Sequence, residues 1–196
     1  MSVGIVVIGA SWGGLRALAR VLGALPPTFQ APLVVAQHRQ PGAEELLAGL
    51  LGSRTALDVA EAEDKDALVA GCVRLAPAGY HLLVDDGHLA LSVDAAVRHS
   101  RPSIDVLFDS AARAYRERAV GVVLTGANDD GARGLAALRE RGGYAIVQEP
   151  GDAEMPEMPR AALRRAGADA VLPLDAIAPA LVKLVGAGEG EGEGKP

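Results

Sequence analysis

The sequence predicts an α/β fold: a three-layer, doubly wound, mainly parallel sheet with a small antiparallel hairpin excursion. Three observations point there. Short runs of β-branched residues recur along the chain, stretches with helical spacing follow them, and one central region replaces that alternation with closely spaced turn signals. A chain of 196 residues that is 49% hydrophobic and 22% charged can bury one core without disulfide or metal staples.

The first run, residues 3–9, is almost continuously apolar and ends in Gly9, as a strand buried on both faces of a parallel sheet would. Residues 13–25 then place Leu15, Leu18, Ala19 and Leu22 on one helical face, and Pro26-Pro27 stops that helix. Residues 31–36 and 43–51 repeat the unit as strand and helix. The central runs 72–76, 80–84 and 88–93 are short and strand-like, joined by Pro77-Ala78-Gly79 and by the hairpin signal Asp85-Asp86-Gly87, which predicts the antiparallel excursion. A long helix is expected over 102–118, with Ser100 or Ser103 as its cap. Strand 119–124, helix 131–141, strand 144–147 and a helix around 160–165 complete the alternation. The Gly/Glu repeats of 186–196 cannot bury enough surface to order themselves, so one domain is expected over 1–185 and a flexible tail over 186–196.

Composition excludes several functions. Lys plus Arg number 19 against 25 Asp plus Glu, and a net charge of −6 opposes a sequence-independent grip on nucleic acid or on an anionic membrane. The single cysteine, Cys72, can form neither an internal disulfide nor a zinc cluster. The apolar start has no basic region before it and is far shorter than the roughly 20 residues of a spanning helix, so no signal peptide and no membrane insertion are expected. These features together predict a cytoplasmic protein.

In an open parallel sheet, ligands collect at the carboxyl ends of the strands. Those ends carry Ser11 in Gly9-Ala10-Ser11-Trp12-Gly13-Gly14, then His38, then Asp129 and Asp130 in Thr125-Gly126-Ala127-Asn128-Asp129-Asp130-Gly131. A hydroxyl, an imidazole and a carboxylate are the parts of an acyl-transfer triad. The hydroxyl needs a base within hydrogen-bond reach, and the base needs an acid to fix its tautomer. Ser11, His38 and Asp130, or Asp129 in its place, fill those roles. Gly9-x-Ser11-x-Gly13 fits a nucleophile elbow, the Trp12 N–H is the natural first oxyanion donor, and the Gly126-Ala127 turn offers a second. Each residue also has a plainer reading: Ser11 as a helix cap, His38 as an exposed histidine, either aspartate as the N-cap of the next helix. A dinucleotide site is the main rival, but Ser11 stands where its fingerprint needs glycine, and Gln37-His38 stand where it needs an acid. An ordinary α/β-hydrolase would place its histidine last, whereas the order here is Ser, His, Asp.

Taken together, the motifs resemble the catalytic domain of the protein-glutamate methylesterase of bacterial chemotaxis, CheB. The resemblance runs from Ile8-Gly9-Ala10-Ser11-x-Gly13-Gly14 and Gln37-His38 through Ala76-Pro77-Ala78-Gly79-Tyr80-His81 and Arg101-Pro102-Ser103-Ile104-Asp105. It continues to Leu124-Thr125-Gly126, Asp130-Gly131-Ala132-x-Gly134 and Met158-Pro159-Arg160, covering roughly residues 3 to 185. It implies a methylesterase-like catalytic domain that needs no cofactor and no metal. It implies hydrolysis of glutamate γ-methyl esters, and deamidation of glutamines, on a methylated helical chemoreceptor-type protein. By position Ser11 is then the nucleophile, His38 the base and Asp130, not Asp129, the orienting acid. The backbone amides of Trp12 and Ala127 form the oxyanion hole, Ala127 standing where the family has methionine. Typical members carry a receiver domain ahead of the catalytic one, while the first strand here starts at residue 3, so a separate receiver or regulator protein is expected. Trp12 replaces a small residue, and the acid loop has exchanged a glycine for a charge. Two alternatives stand beside this reading: a catalytically weak receptor- or partner-binding module of the same fold, and a nucleotide-binding protein. His81, His88 and His99 read as surface positions, Met155 and Met158 as packing, and Arg160, Arg164 and Arg165 as a solvated face.

Overall fold

The computed structural model describes residues 3–39 and 46–187. Its main sheet has seven parallel strands in the order β3-β4-β2-β1-β7-β8-β9, and a two-stranded antiparallel sheet, β5-β6, lies apart from it. In chain order the strands are β1 (Ile5–Ala10), β2 (Leu33–Gln37), β3 (Asp58–Glu61), β4 (Cys72–Leu75), β5 (His81–Val84), β6 (Leu89–Ser92), β7 (Ala119–Val123), β8 (Tyr144–Gln148) and β9 (Ala170–Leu172). The helices are α1 (Gly14–Gly23), α2 (Leu46–Gly52), α3 (Ile104–Tyr115), α4 (Ala132–Glu140), α5 (Glu157–Arg165) and α6 (Leu174–Gly186).

Strand periodicity divides the core into two layers. Val6 and Ile8 of β1 join Leu33 and Val35 of β2 against α1, α2 and α6, through Leu18, Leu22, Leu51, Ile177 and Leu181. Ile5, Val7, Val34 and Ala36 point the other way, onto α3, α4, α5 and the β5-β6 hairpin. Both faces of the central strands are dry, so β1, β2 and β7 are apolar almost throughout, and polar groups appear only where each strand ends.

The chain first builds β2, β4 and β3 on one side of β1 and then crosses to β7 on the other. β1 therefore marks the switch point, where neighbouring connections leave in opposite directions and open a crevice beyond the strand ends. The loops after β1, β2 and β7 meet there.

Residues 72–76 depart from expectation. They were expected in the antiparallel excursion, but β4 lies in the main sheet, parallel to β2 through Leu33↔Val73 and Val35↔Leu75. Val73 and Leu75 are fully buried there, a gain a solvent-facing hairpin could not offer. The excursion is β5 and β6 alone, in the register His81↔Ser92 to Val84↔Leu89. The helix expected over 102–118 starts at Ile104, and its last residues, Arg116–Arg118, form a 3-10 turn. β3, β9 and α6 had no sequence expectation. Gly186 closes α6, and the predicted tail from residue 188 lies outside the described residues, as do 43–45 of the helix expected over 43–51.

Candidate active site

Ser11 follows β1 immediately and is held by backbone on both sides. Its N–H donates to Thr125 O at 3.0 Å, and its carbonyl accepts the Gly14 N–H at 2.9 Å and Gln37 Nε2 at 2.8 Å. The turn needs glycine at position 13, whose φ of +77° is a left-handed conformation just before α1. Gly126 is required for a different reason: a Cβ there would sit 2.9 Å from the Ser11 Cβ. These constraints lift the hydroxyl into the crevice at the start of α1.

His38 continues the β2 ladder, its N–H donating to Ala10 O at 3.0 Å. Gln37, buried beside it, donates from Nε2 to both Ser11 O and His38 O, which ties the ends of β1 and β2 together. The imidazole lies between two partners: Nδ1 is 3.2 Å from Ser11 Oγ, and Nε2 is 2.8 Å from Asp130 Oδ2. Asp130 can only accept, so the proton of the neutral ring is assigned to Nε2, leaving the Nδ1 lone pair toward the serine. The Asn128 side-chain amide reaches the same Nδ1 at 3.3 Å.

Asp130 is 1% exposed and saturated with donors. Besides His38 it accepts from Ser103 Oγ at 3.0 Å and from the backbone N–H groups of Ile104 at 2.7 Å and Asp105 at 3.0 Å. Burial pushes its carboxyl up, but the bond to His38 and the amides of Asp105 and Ile104 outweigh that, so it lies below the ordinary carboxylate value. The acid thus stays ionised against its imidazole. Asp129 faces away: it pairs with Arg98, whose hydrogen bond is the main cause holding Asp129 low.

Sequence reasoning expected Ser100 or Ser103 to cap α3. Ser103 occupies that position with no cap bond and gives its hydroxyl to Asp130, whose carboxylate accepts the first amides of the helix. The converse holds at α4. Asp105, from the first turn of α3 and fully buried, accepts Gly131 N–H at 3.0 Å and Gly134 N–H at 2.7 Å. Burial, the largest influence, raises the Asp105 carboxyl, the Asp130 charge adds to the rise, and the Gly134 amide and Arg133 counter it. The first amides of α3 thus rest on Asp130 from the loop that leads into α4, and those of α4 rest on Asp105 from α3.

The amides of Trp12 and Ala127 donate to no protein acceptor among the described residues, and both flank Ser11, Trp12 in sequence and Ala127 through the Gly126 contact. Thr125 Oγ1 donates to Trp12 O at 3.0 Å and accepts the Met155 N–H at 2.8 Å, joining the elbow to the loop before α5. The indole of Trp12 is 65% exposed at the mouth of the crevice. His81 corrects an expectation: it is buried, not superficial, accepting Ser103 N–H at Nδ1 and donating to Ala95 O from Nε2. His88 is half-buried, His99 is exposed, Met158 is packed into the core, and Arg160, Arg164 and Arg165 are exposed. Gln37, Ser103, Asp105 and Asn128 stand within the quoted motifs, but their roles at the site, as partners of Ser11, Asp130, the α4 amides and His38, had no signal in residue type or spacing.

Among the described residues no helix is long and apolar enough to cross a membrane, and no group of three or more His, Cys, Asp or Glu side chains is placed to hold a metal ion.

Known proteins share this arrangement of chain. The family described as CheB methylesterase matches residues 6–181. A protein-glutamate methylesterase/protein-glutamine glutaminase of Anaeromyxobacter dehalogenans is 47% identical over 182 residues, 93% of this chain and 53% of that relative. Protein-glutamate methylesterase FrzG of Myxococcus xanthus is 44% identical over 182 residues, 92% of this chain and 54% of its own length. The chain spans about half of each of those two, whereas a Leptospira interrogans relative, 41% identical over 180 residues, is covered over 93% of its length. The crystal structure of the Thermotoga maritima CheB methylesterase catalytic domain superposes with a TM-score of 0.89 at 36% identity, covering 94% of this chain and 100% of that one.

Proposed function

Since this chain belongs to the CheB methylesterase family, we propose that it hydrolyses glutamate γ-methyl esters on a methylated chemoreceptor-type protein through Ser11, His38 and Asp130. The observation that carries the proposal is the unbroken line of contacts from Ser11 Oγ through His38 to Asp130, 3.2 Å and 2.8 Å long. In the first step Ser11 Oγ attacks the γ-carbonyl carbon while His38 Nδ1 takes its proton. The carbonyl oxygen becomes an oxyanion facing the free N–H groups of Trp12 and Ala127 at the positive end of α1. Collapse breaks the ester C–O bond, His38 returns the proton to the departing oxygen, and methanol leaves an acyl-serine. Water, deprotonated by Nδ1, then releases the glutamate carboxylate and restores Ser11. A glutamine side chain would follow the same path with ammonia as leaving group.

The ionised Asp130 stabilises the imidazolium formed in both halves of the cycle. The nucleotide-binding alternative finds no support here, because Gln37 and His38, at the strand end that would hold a ribose, are both committed to Ser11. The partner-binding alternative predicts an intact fold without turnover.

Methanol release from a methylated receptor fragment tests the reading, with Ser11→Ala as control. Release by the wild type and none by Ser11→Ala is expected. Equal release by both, or none by the wild type, would contradict it.

A further inference from the structure

A cleft of about 420 Å³ opens directly beside His38, walled by Arg39, Gly79, His99, Ser100 and Arg101. The chain as a whole carries a charge of −6, yet among the described residues no acidic side chain lines this cleft. The neighbouring cations have carboxylate partners: Arg39 pairs with Glu61, and Arg98 with Asp129. Arg101 differs. Its Nη1 donates to the carbonyls of Val93 and Asp94 at 2.8 and 3.0 Å, which fix the side chain without cancelling its charge, and no carboxylate lies within ion-pair distance among the described residues. Arg101 is exposed, and its remaining guanidinium N–H groups have no hydrogen-bond partner among the described residues.

The backbone places this wall deliberately. Val97 and Ser100 exchange hydrogen bonds of 3.1 and 2.9 Å across a tight turn, and the two residues between them, Arg98 and His99, have φ of +51° and +65°. L side chains rarely adopt that region, and consecutive instances cluster where a site needs them. The turn puts Arg98 on the acid-loop side and His99 with Arg101 on the cleft side.

We propose that the His38 cleft, through Arg101, is a subsite for a carboxylate, and that the preferred substrate carries a free acidic side chain next to the glutamate ester being cleaved. The proposal rests on Ser11 being the esterase nucleophile and adds what that site selects. Arg101 then acts as a specificity-determining residue: it binds the neighbouring Asp or Glu of the substrate and takes no part in bond breaking. A charge-assisted bond of this kind, partly exposed, corresponds to about a tenfold preference that shrinks as salt is added.

The test uses the full chain and three helical peptides of one sequence, each holding one glutamate γ-methyl ester flanked by Glu, by Gln or by Lys. Methanol release gives kcat/KM for each, and the readout is the ratio between peptides, so loss of overall activity in a variant does not imitate the result. The wild type should prefer Glu over Gln about tenfold, mainly through KM, with the preference falling between low and high salt. Arg101→Ala should bring the ratio to near one, Arg101→Lys should keep part of it, and Arg101→Glu should invert it in favour of Lys. Fluorophosphonate labelling of Ser11 confirms that each variant folds around a competent serine. A wild type that hydrolyses all three peptides equally, or an Arg101→Glu variant that labels normally yet still prefers Glu, overturns the subsite and leaves the esterase reading standing. A wild type that cleaves none of them overturns both.

Discussion

Ser11 Oγ is an unremarkable hydroxyl until His38 Nδ1 stands 3.2 Å away, and His38 faces it correctly only while Asp130 holds Nε2. Replacing Ser11 or His38 with alanine should therefore lower methanol release by about 10⁴-fold or more, measured as kcat at saturating substrate. Asp130→Asn keeps most of the backbone bonds but presents a neutral group to the imidazolium, and should cost about 10³ to 10⁴-fold in kcat. The same carboxylate gives a pH signature. Its folded value lies below the ordinary one, so the stability it confers is complete above the unfolded-state titration and is lost as pH falls through the depressed folded value. Urea unfolding in the acid range should show that limb in the wild type and a shallower one in Asp130→Asn. Ser11 and His38 were legible because each ends a strongly apolar strand. Asp129 and Asp130 were indistinguishable by residue type, and the resemblance separated them. Structurally the difference is that the amides of α3 converge on Asp130 while Arg98 draws Asp129 outward.

The acid loop is positioned at the level of helices. α3 begins on the Asp130 carboxylate and α4 begins on the Asp105 carboxylate, so the two N-termini lock each other and carry Asp130, the proposed orienting acid, between them. Asp105→Ala would orphan the Gly134 amide and leave the Gly131 amide with Asp130 Oδ1 alone, for a loss on the order of 1–3 kcal/mol in unfolding free energy. Asp105→Asn retains an accepting oxygen for those amides and should be markedly milder. Its direction with pH is also fixed: the Asp105 carboxyl is raised on folding, so the stability it confers is complete below the unfolded-state titration and is lost as pH rises through the raised folded value, and Asn should gain on the wild type across that window. A larger loss for Asn than for Ala at neutral pH would contradict this capping role. Such an exchange leaves no local signal, since a cap is normally sought next to its own helix and these come from about 25 residues away. The overlooked elements have similar physical causes. β3 is a half-buried edge strand, β9 is a three-residue edge strand, and α6 contains Pro179, which masks its apolar face in sequence.

Across the whole molecule, a sheet that is dry on both faces is what allows polar residues at one edge to be placed so closely. The central strands contribute apolar side chains to both layers, and three of them terminate at the switch point where Ser11, His38 and the loop to Asp130 emerge. This much could be read from apolar runs followed by polar strand ends. The position of β4 could not, because a four-residue strand fits a hairpin or a sheet interior equally well until its neighbours are known. Leu22 is fully buried in the layer under α1 and far along that helix from Ser11, so Leu22→Ala should destabilise by about 2–5 kcal/mol while kcat at permissive temperature is retained. Ser11 and His38 are expected to work as one unit, and their double substitution tests this most directly. Methanol-release kcat of the Ser11→Ala/His38→Ala protein should equal that of either single variant, because removing one partner already removes the function of the other. Losses that multiply, leaving the double variant slower than each single by the other's full factor, would show two independent residues and contradict the triad.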